Sequence, residues 1–236
     1  MGEAIRRNDK NELTTEEDKT LSIEQSLELK RSQKIYLPFK RFFDILFSSI
    51  ALIVLSPVFL IVTLIIKLDS PGSALFVQNT RVGKNGKLFP MLKFRSMVQN
   101  ADAMKKDLEH LNEMEGPVFK IKNDPRLTRI GRALRKTSID ELPQLINILI
   151  RQMSIVGPRP FLKAELNKST CGRYKTYCMV KPGLTSLWGV SGRSNINSFD
   201  QRMNLDIEYV RKLGPIYDLI IIIKTVPAVI SGDGAS

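Results

Sequence analysis

From Ile45 to Ile66 the chain runs 22 residues without a charge, with Lys40, Arg41 and Asp44 before the run and Lys67 and Asp69 after it. A straight helix of that length measures about 33 Å, and a hydrocarbon core is about 30 Å thick. Core helices of soluble domains are rarely apolar all round for so long, so the run reads as a membrane-inserting segment. Ser56-Pro57 stands at its centre, where proline removes a backbone donor and clashes with the preceding turn. Basic residues flank both ends, so charge asymmetry assigns no orientation. Two topologies stay open: a kinked crossing, and a helix that breaks at Ser56-Pro57 and returns to the face it entered. In the second, the carbonyls freed near the break could be satisfied by the Ser56 hydroxyl or by local backbone adjustment.

The rest of the chain belongs to a different class. At 236 residues, 43% hydrophobic and 25% charged, it lies in the ordinary globular range, which excludes wholesale disorder and low-complexity architectures. Two cysteines, Cys171 and Cys178, and one histidine, His110, support neither a disulfide scaffold nor a structural zinc site. The net charge is +12, and it is unevenly spread. Residues 1–34 carry seven basic and eight acidic groups, so everything after them carries +13. Such an excess points to phosphate in a lipid, a substrate or a nucleic acid. The first segment has too few apolar residues to offset its ordering entropy and reads as a mobile tail. It has no n-region, h-region and cleavage site, so it is not expected to be a signal peptide.

After Asp69, Ser70-Pro71-Gly72 reads as a turn and residues 74–78 as a short strand. Residues 81–87 form a basic glycine loop, and residues 88–94 a second apolar stretch. Residues 101–114 show helical spacing with alternating charge. Leu142, Leu145, Ile146 and Leu149 fall at i, i+3, i+4 and i+7, giving one apolar helix face. Gly157-Pro158-Arg159-Pro160 is a stiff loop. Residues 219–223, before Pro227, are either a buried helix or a segment lying on a membrane surface.

Asp140-Glu141 is the carboxylate pair with the most chemical promise. Ser138, three residues before Glu141, matches a capping box, which gives the pair a purely structural role. The pair also stands among Arg126, Arg129, Arg132, Arg135 and Lys136. A carboxylate held among cations stays ionised, can hold Mg²⁺, and can attack a phosphorus whose oxygens those cations neutralise. Lys93 and Arg95, at alternate positions, share one face if the segment is extended. Prolines on both sides of Arg159 fix its direction, which suits bidentate phosphate recognition. The stretch from Lys181 to Arg193 combines turn residues with the only tryptophan; Trp188 and Arg193 could line a nucleotide or sugar site. No Walker, dinucleotide or nucleophile-elbow motif occurs.

Taken in order, these motifs resemble the bacterial sugar transferase family, the monotopic polyprenyl-phosphate sugar-1-phosphate transferases. The resemblance runs from Lys40-Arg41-Phe42-Phe43-Asp44 to Ser231-Gly232-Asp233-Gly234-Ala235. It passes through Ser56-Pro57, Lys93-Phe94-Arg95-Ser96-Met97, residues 138–144, Val156-Gly157-Pro158-Arg159-Pro160 and Lys181-Pro182-Gly183-Leu184-Thr185. It implies an α/β, mostly helical fold: a re-entrant membrane helix-break-helix followed by a small mixed catalytic domain with interfacial helices. The expected divisions are a tail over 1–36, the broken membrane helix over 37–69, and a catalytic domain over 70–236 on the cytoplasmic face of the bacterial inner membrane. The implied reaction transfers a hexose-1-phosphate from a UDP-sugar to undecaprenyl phosphate, releases UMP, and initiates exopolysaccharide, capsule or glycoconjugate assembly.

Within that resemblance Asp140 matches the nucleophile that forms an aspartyl-phosphosugar, and Glu141 its dyad partner. Mg²⁺ is the implied cofactor, with Asp140 among its ligands. Lys93, Arg135 and Arg159 match positions that bind phosphate or support the dyad. The implied partners are the UDP-sugar, undecaprenyl phosphate and the membrane; nucleic acid is not expected, and a homodimer is compatible with the sequence but not required by it. Many relatives carry a multi-helix membrane domain before this core, so a chain with only a short tail is expected to be a minimal catalytic form. The rival class is a non-enzymatic basic anchor for anionic lipid or nucleic acid. Within enzymes, the rival is a glycosyltransferase that releases UDP.

Overall fold

A computed structural model describes residues 28–70, 76–113, 119, 121, 123–166, 171–192, 196 and 198–231. Most of the expected tail, and Arg193, lie outside the described residues. The order begins with helix α1 (Arg31–Val54) and helix α2 (Ser56–Asp69), which bend by 59° where they meet. Pro57 falls in the first turn of α2, where a missing N–H costs nothing. The Ser56 hydroxyl donates to the Ile53 carbonyl at 2.8 Å, so the break is satisfied as the sequence suggests. Among the described residues no single helix is long and apolar enough to cross a membrane; only the bent pair is. α1 begins at Arg31, inside the stretch that composition assigns to the tail.

One narrow face of α1 is polar and buried: Gln33, Lys40, Asp44 and Ser48. Each of the first three meets the domain. Gln33 donates to the carbonyls of Val210 and Arg211. Lys40 pairs with Asp218, and Asp44 accepts from the Ser154 hydroxyl and the Ile155 N–H. Arg41 donates to the carbonyls of Ile148 and Leu149, which end helix α5 below; a cation there complements orphan carbonyls and the helix dipole. The outward faces of α1 and α2 expose large apolar residues, among them Phe42, Phe47, Ile53, Leu60 and Leu64.

Beyond α2 lies a hairpin of β1 (Phe76–Val82) and β2 (Leu88–Phe94), antiparallel from Phe76↔Phe94 to Val82↔Leu88. Its turn uses left-handed Asn85 and Gly86. Helix α3 (Ala101–Met104) is followed only by a 3₁₀ turn at Glu109–Leu111. The expected longer helix over 101–114 therefore does not form among the described residues. Its charge-rich segment buries little, Ala101 being the one core residue it supplies.

Helix α4 (Arg129–Lys136) and helix α5 (Gln144–Leu149) flank the acidic pair. On α5 the fully covered apolar residues are Leu145 and Ile148, with Ile146 and Leu149 only partly covered. The apolar face is therefore shifted from the one the spacing picks out. Asn147 explains the shift: it is completely buried and bonds to Leu92 N–H, Pro90 carbonyl and Gln152, so α5 is keyed to β2 by a polar residue.

Strand β3 (Ser154–Val156) pairs in parallel with β4 (Gly183–Thr185). A Cβ on Gly183 would stand 2.1 Å from the Gly157 nitrogen, so only glycine lets the two loops cross there. Between the strands lie helices α6 (Lys163–Leu166) and α7 (Cys171–Tyr177), and after them α8 (Leu187–Val190), α9 (Phe199–Lys212) and α10 (Pro215–Ser231). The whole is mostly helical with a small mixed sheet component. Among the α10 residues whose burial is described, only Asp218 and Ile221 are deeply buried, while Ile216, Leu219, Ile223 and Val226 are exposed. That excludes the buried-helix alternative for residues 219–223.

Candidate active site

The site forms where α4, β2 and the 157–160 loop converge. Thr128 caps α4 by accepting the Gly131 N–H, and a Cβ on Gly131 would overlap the Ser96 carbonyl oxygen at 1.8 Å. That contact seats α4 directly on the chain leaving β2. After α4, Ser138 takes a left-handed conformation, φ 55°, and starts a 3₁₀ turn over Ile139–Glu141. Its side chain makes no capping bond, so the capping-box reading of Ser138 and Glu141 does not hold. The left-handed residue turns the chain sharply between the two helices, and the acidic pair occupies the corner.

Asp140 is buried, with 5% of its surface exposed, and Glu141 is half-buried. Lys93 reaches both from β2, its Nζ 2.5 Å from Glu141 Oε1 and 3.8 Å from Asp140 Oδ2. Arg135 donates from Nε to the Ser96 hydroxyl. Burial pushes the Arg135 guanidinium below its usual range, and Asp140 is the strongest influence opposing that. Of the cations the sequence placed near the pair, Arg126 goes elsewhere: it grips Asp124 through two nitrogens and stacks on Phe119. Arg129, Arg132 and Lys136 are exposed.

A cavity of about 560 Å³ opens beside the pair. Glu141, Lys93, Arg159 and Trp188 line it, together with an apolar wall that includes Leu142, Leu184 and Val226. Asp140 and Arg135 are not among the residues that line the space. The Arg159 guanidinium sits 4.5 Å above the Trp188 ring, and Arg202 approaches the same ring at 5.3 Å. Trp188 is thus both a core residue and a platform for two cations. Ser56 and Pro57 are absent from the lining and act only at the helix break.

Arg81 is a cavity residue that the sequence reading passed over. It donates to the Pro160 carbonyl and lies 3.7 Å from Glu165. Burial, and then the Arg159 charge, push its guanidinium down. Its only sequence signal was membership of the basic 81–87 stretch. Two arginines facing one space, one depressed partly by the other, suit a site that binds a multiply charged anion.

The 157–160 loop is held from below. The Tyr177 hydroxyl donates to the Val82 carbonyl and accepts the Phe161 N–H. The Arg159 N–H donates to Asp206 Oδ1 on α9 at 3.1 Å, while Oδ2 has no hydrogen-bond partner. Burial pushes the Asp206 carboxyl up to about 8, against the pull of the Arg159 N–H and charge. Its folded value thus exceeds its unfolded value of about 4, so the folded state holds an extra proton between those limits. Stability is expected to fall as pH rises through that window, by at most about 1.4 kcal/mol per pH unit. Asp206→Asn should flatten the fall. Thermal unfolding midpoints of both proteins from pH 5 to pH 9 check this, and parallel curves would refute it.

Residues 35–232 match the model of the family described as bacterial sugar transferase. Galactosyl transferase CpsE of Streptococcus agalactiae is 44% identical over 83% of this chain and 43% of its own length. The undecaprenyl-phosphate galactose phosphotransferase of Salmonella typhimurium is 44% identical over 87% of this chain and 43% of its own. The exopolysaccharide production protein ExoY of Rhizobium meliloti is 40% identical over 83% of this chain and 87% of its own. The chain belongs to the bacterial sugar transferase family. It spans less than half the length of the first two relatives and most of the third.

Proposed function

We propose that the protein transfers a hexose-1-phosphate from a UDP-sugar to undecaprenyl phosphate at the cytoplasmic face of the bacterial inner membrane, initiating exopolysaccharide or capsule assembly. The observation that carries this reading is the acidic corner, Asp140-Glu141, held against Lys93 at the edge of a cavity with arginines on one side and apolar residues on the other. A sugar nucleotide presents two phosphates to cations, and a polyprenyl phosphate brings an apolar tail. The cavity offers both kinds of wall, and the name of the Salmonella typhimurium relative, undecaprenyl-phosphate galactose phosphotransferase, agrees with the lipid acceptor.

In this reading an Asp140 carboxylate oxygen attacks the sugar-bearing phosphorus, and the bond to the uridylyl phosphate oxygen breaks, releasing UMP. The lipid phosphate oxygen then attacks the same phosphorus and frees the carboxylate, giving a polyprenyl diphosphate sugar. Arg81 and Arg159 neutralise the pyrophosphate, and Lys93 positions the dyad and balances its charge. The acidic pair fits Mg²⁺, which takes one or two carboxylates and completes its shell with substrate phosphates and water. Among the described residues no third carboxylate, cysteine or histidine joins them, so the donor would supply those phosphates. Bound there, Mg²⁺ would stabilise the charge of the departing phosphate. The bent α1–α2 pair enters and leaves by one face, with α10 lying along the interface.

Nucleotide release from detergent-solubilised protein, with Mg²⁺, undecaprenyl phosphate and a panel of UDP-sugars, tests the proposal. UMP dependent on the lipid and on one sugar is expected; UDP would mean the phosphate stays on the nucleotide and the mechanism is wrong.

A further inference from the structure

Helix α5 carries two buried polar side chains, and they differ. Asn147 uses its amide on Leu92, Pro90 and Gln152. Gln144, one turn earlier and only 2% exposed, makes no side-chain hydrogen bond with any described residue. Its amide is nevertheless not among the polar atoms sealed from solvent without a partner. It therefore still touches open space, and the space that Gln144 lines is the active-site cavity. A carboxamide without a partner in a mostly apolar wall is costly to keep. For the fold alone, leucine or methionine would serve better there; the amide fits a ligand.

The rest of the wall narrows down which part of the ligand. The cations Arg81, Lys93 and Arg159 suit phosphates, and the apolar residues suit a polyprenyl chain. Of the neutral polar side chains, Thr137 donates to the Ala133 carbonyl, Thr185 pairs with Thr225, and the Ser186 hydroxyl accepts from the Gly189 N–H. Ser138 is only partly covered. Gln144 is thus a deeply buried neutral group still able both to donate and to accept, which is what neighbouring sugar hydroxyls require. Glu141 and Gln144 are three residues apart and both line the cavity, a spacing that sets side chains about 5–6 Å apart on a helical surface. In a UDP-sugar the hexose is joined through one oxygen to the phosphorus that the dyad attacks, whereas uracil lies beyond a second phosphate and a ribose. A group beside Glu141 meets the hexose first.

We infer that the Gln144 carboxamide hydrogen-bonds hydroxyls of the donor's hexose and so positions the sugar beside the acidic corner. This rests on the reaction proposed above and adds to it a residue that reads the sugar. A site built to bond a hydroxyl discriminates strongly, because losing that bond strands a buried polar group.

The test titrates the full chain by calorimetry, in uncharged detergent with Mg²⁺ and without lipid acceptor, with UDP-galactose, UDP-glucose, UDP-N-acetylgalactosamine and UDP, which has both phosphates but no hexose. Wild type, Gln144→Leu and Gln144→Met are compared, and their thermal unfolding midpoints are measured. For the UDP-sugar that wild type binds most tightly, both variants should bind at least about tenfold more weakly. UDP affinity should stay within about twofold, and the midpoint should be unchanged or higher. Unchanged UDP-sugar binding overturns the assignment. A parallel loss for UDP moves Gln144 to the nucleotide and overturns its place on the sugar. A lower midpoint in both variants makes the amide a structural group and overturns it as well. Wild type that binds none of the UDP-sugars removes this inference together with the donor of the proposed reaction. UDP instead of UMP released in turnover, with the sugar-selective loss intact, counts against the proposed reaction alone.

Discussion

Asp140→Asn is expected to lower sugar-phosphate transfer by at least about three orders of magnitude, because an amide oxygen cannot form the covalent phosphoryl intermediate. The substitution keeps the shape of a buried side chain and removes only its charge, so the fold should survive. The companion substitution Glu141→Gln separates the roles. Glu141 is the partner that Lys93 touches at 2.5 Å and that faces the cavity, so its loss should disturb donor binding as well as turnover. Rates with saturating UDP-sugar, and isotope exchange between labelled UMP and UDP-sugar without lipid, make the comparison. Exchange that persists in Asp140→Asn would remove Asp140 from the nucleophile's role.

Asp218→Leu is expected to cost about 3–5 kcal/mol, the usual penalty for leaving a buried charge without its partner. Asp218 is the buried hub between α10 and α1. It accepts from Lys40, from the Tyr36 hydroxyl at 2.9 Å and from the Tyr209 hydroxyl at 2.8 Å. Adding Lys40→Met should recover part of the loss, since the stranded ammonium is then gone. Unfolding midpoints of the single and double variants decide it. A double variant no better than Asp218→Leu would show that the two tyrosines, not the ion pair, hold the helices together.

What could be read in advance was mostly what the chain dictates locally. Proline at 57 removes a donor and crowds the preceding turn, and Ser56 beside it can take up a freed carbonyl, so a break or kink was legible there. Pro38 and Pro227, by contrast, lie inside α1 and α10 without ending them. Residues 88–94 read only as a short apolar stretch, and it is their pairing with β1 that makes them strand β2. The acidic corner was only half legible. Asp140-Glu141 and the surrounding cations stand in the sequence, but which cation turns inward does not. Arg126 is claimed by Asp124, and Arg135 is held by Ser96, a residue 39 positions away. Ser138 misled because its spacing from Glu141 satisfies a capping motif while its backbone takes a left-handed turn demanded by the packing of α4 on β2. Arg81 was hidden for the same reason: its place in the cavity depends on Pro160 and Glu165, which only the fold brings near it.

The buried polar face of α1 bears on how such a chain is made. Gln33, Lys40, Arg41 and Asp44 find their partners 107 to 178 residues downstream, and the last of those partners sits on α10. A ribosome releases the helix long before it has synthesised Asp218. Until then α1 carries polar groups whose partners in the domain have not yet been made. The docking of α1 and the closure of the domain are therefore one late, cooperative event, and a chain stopped short of Asp218 would leave Lys40 without its carboxylate.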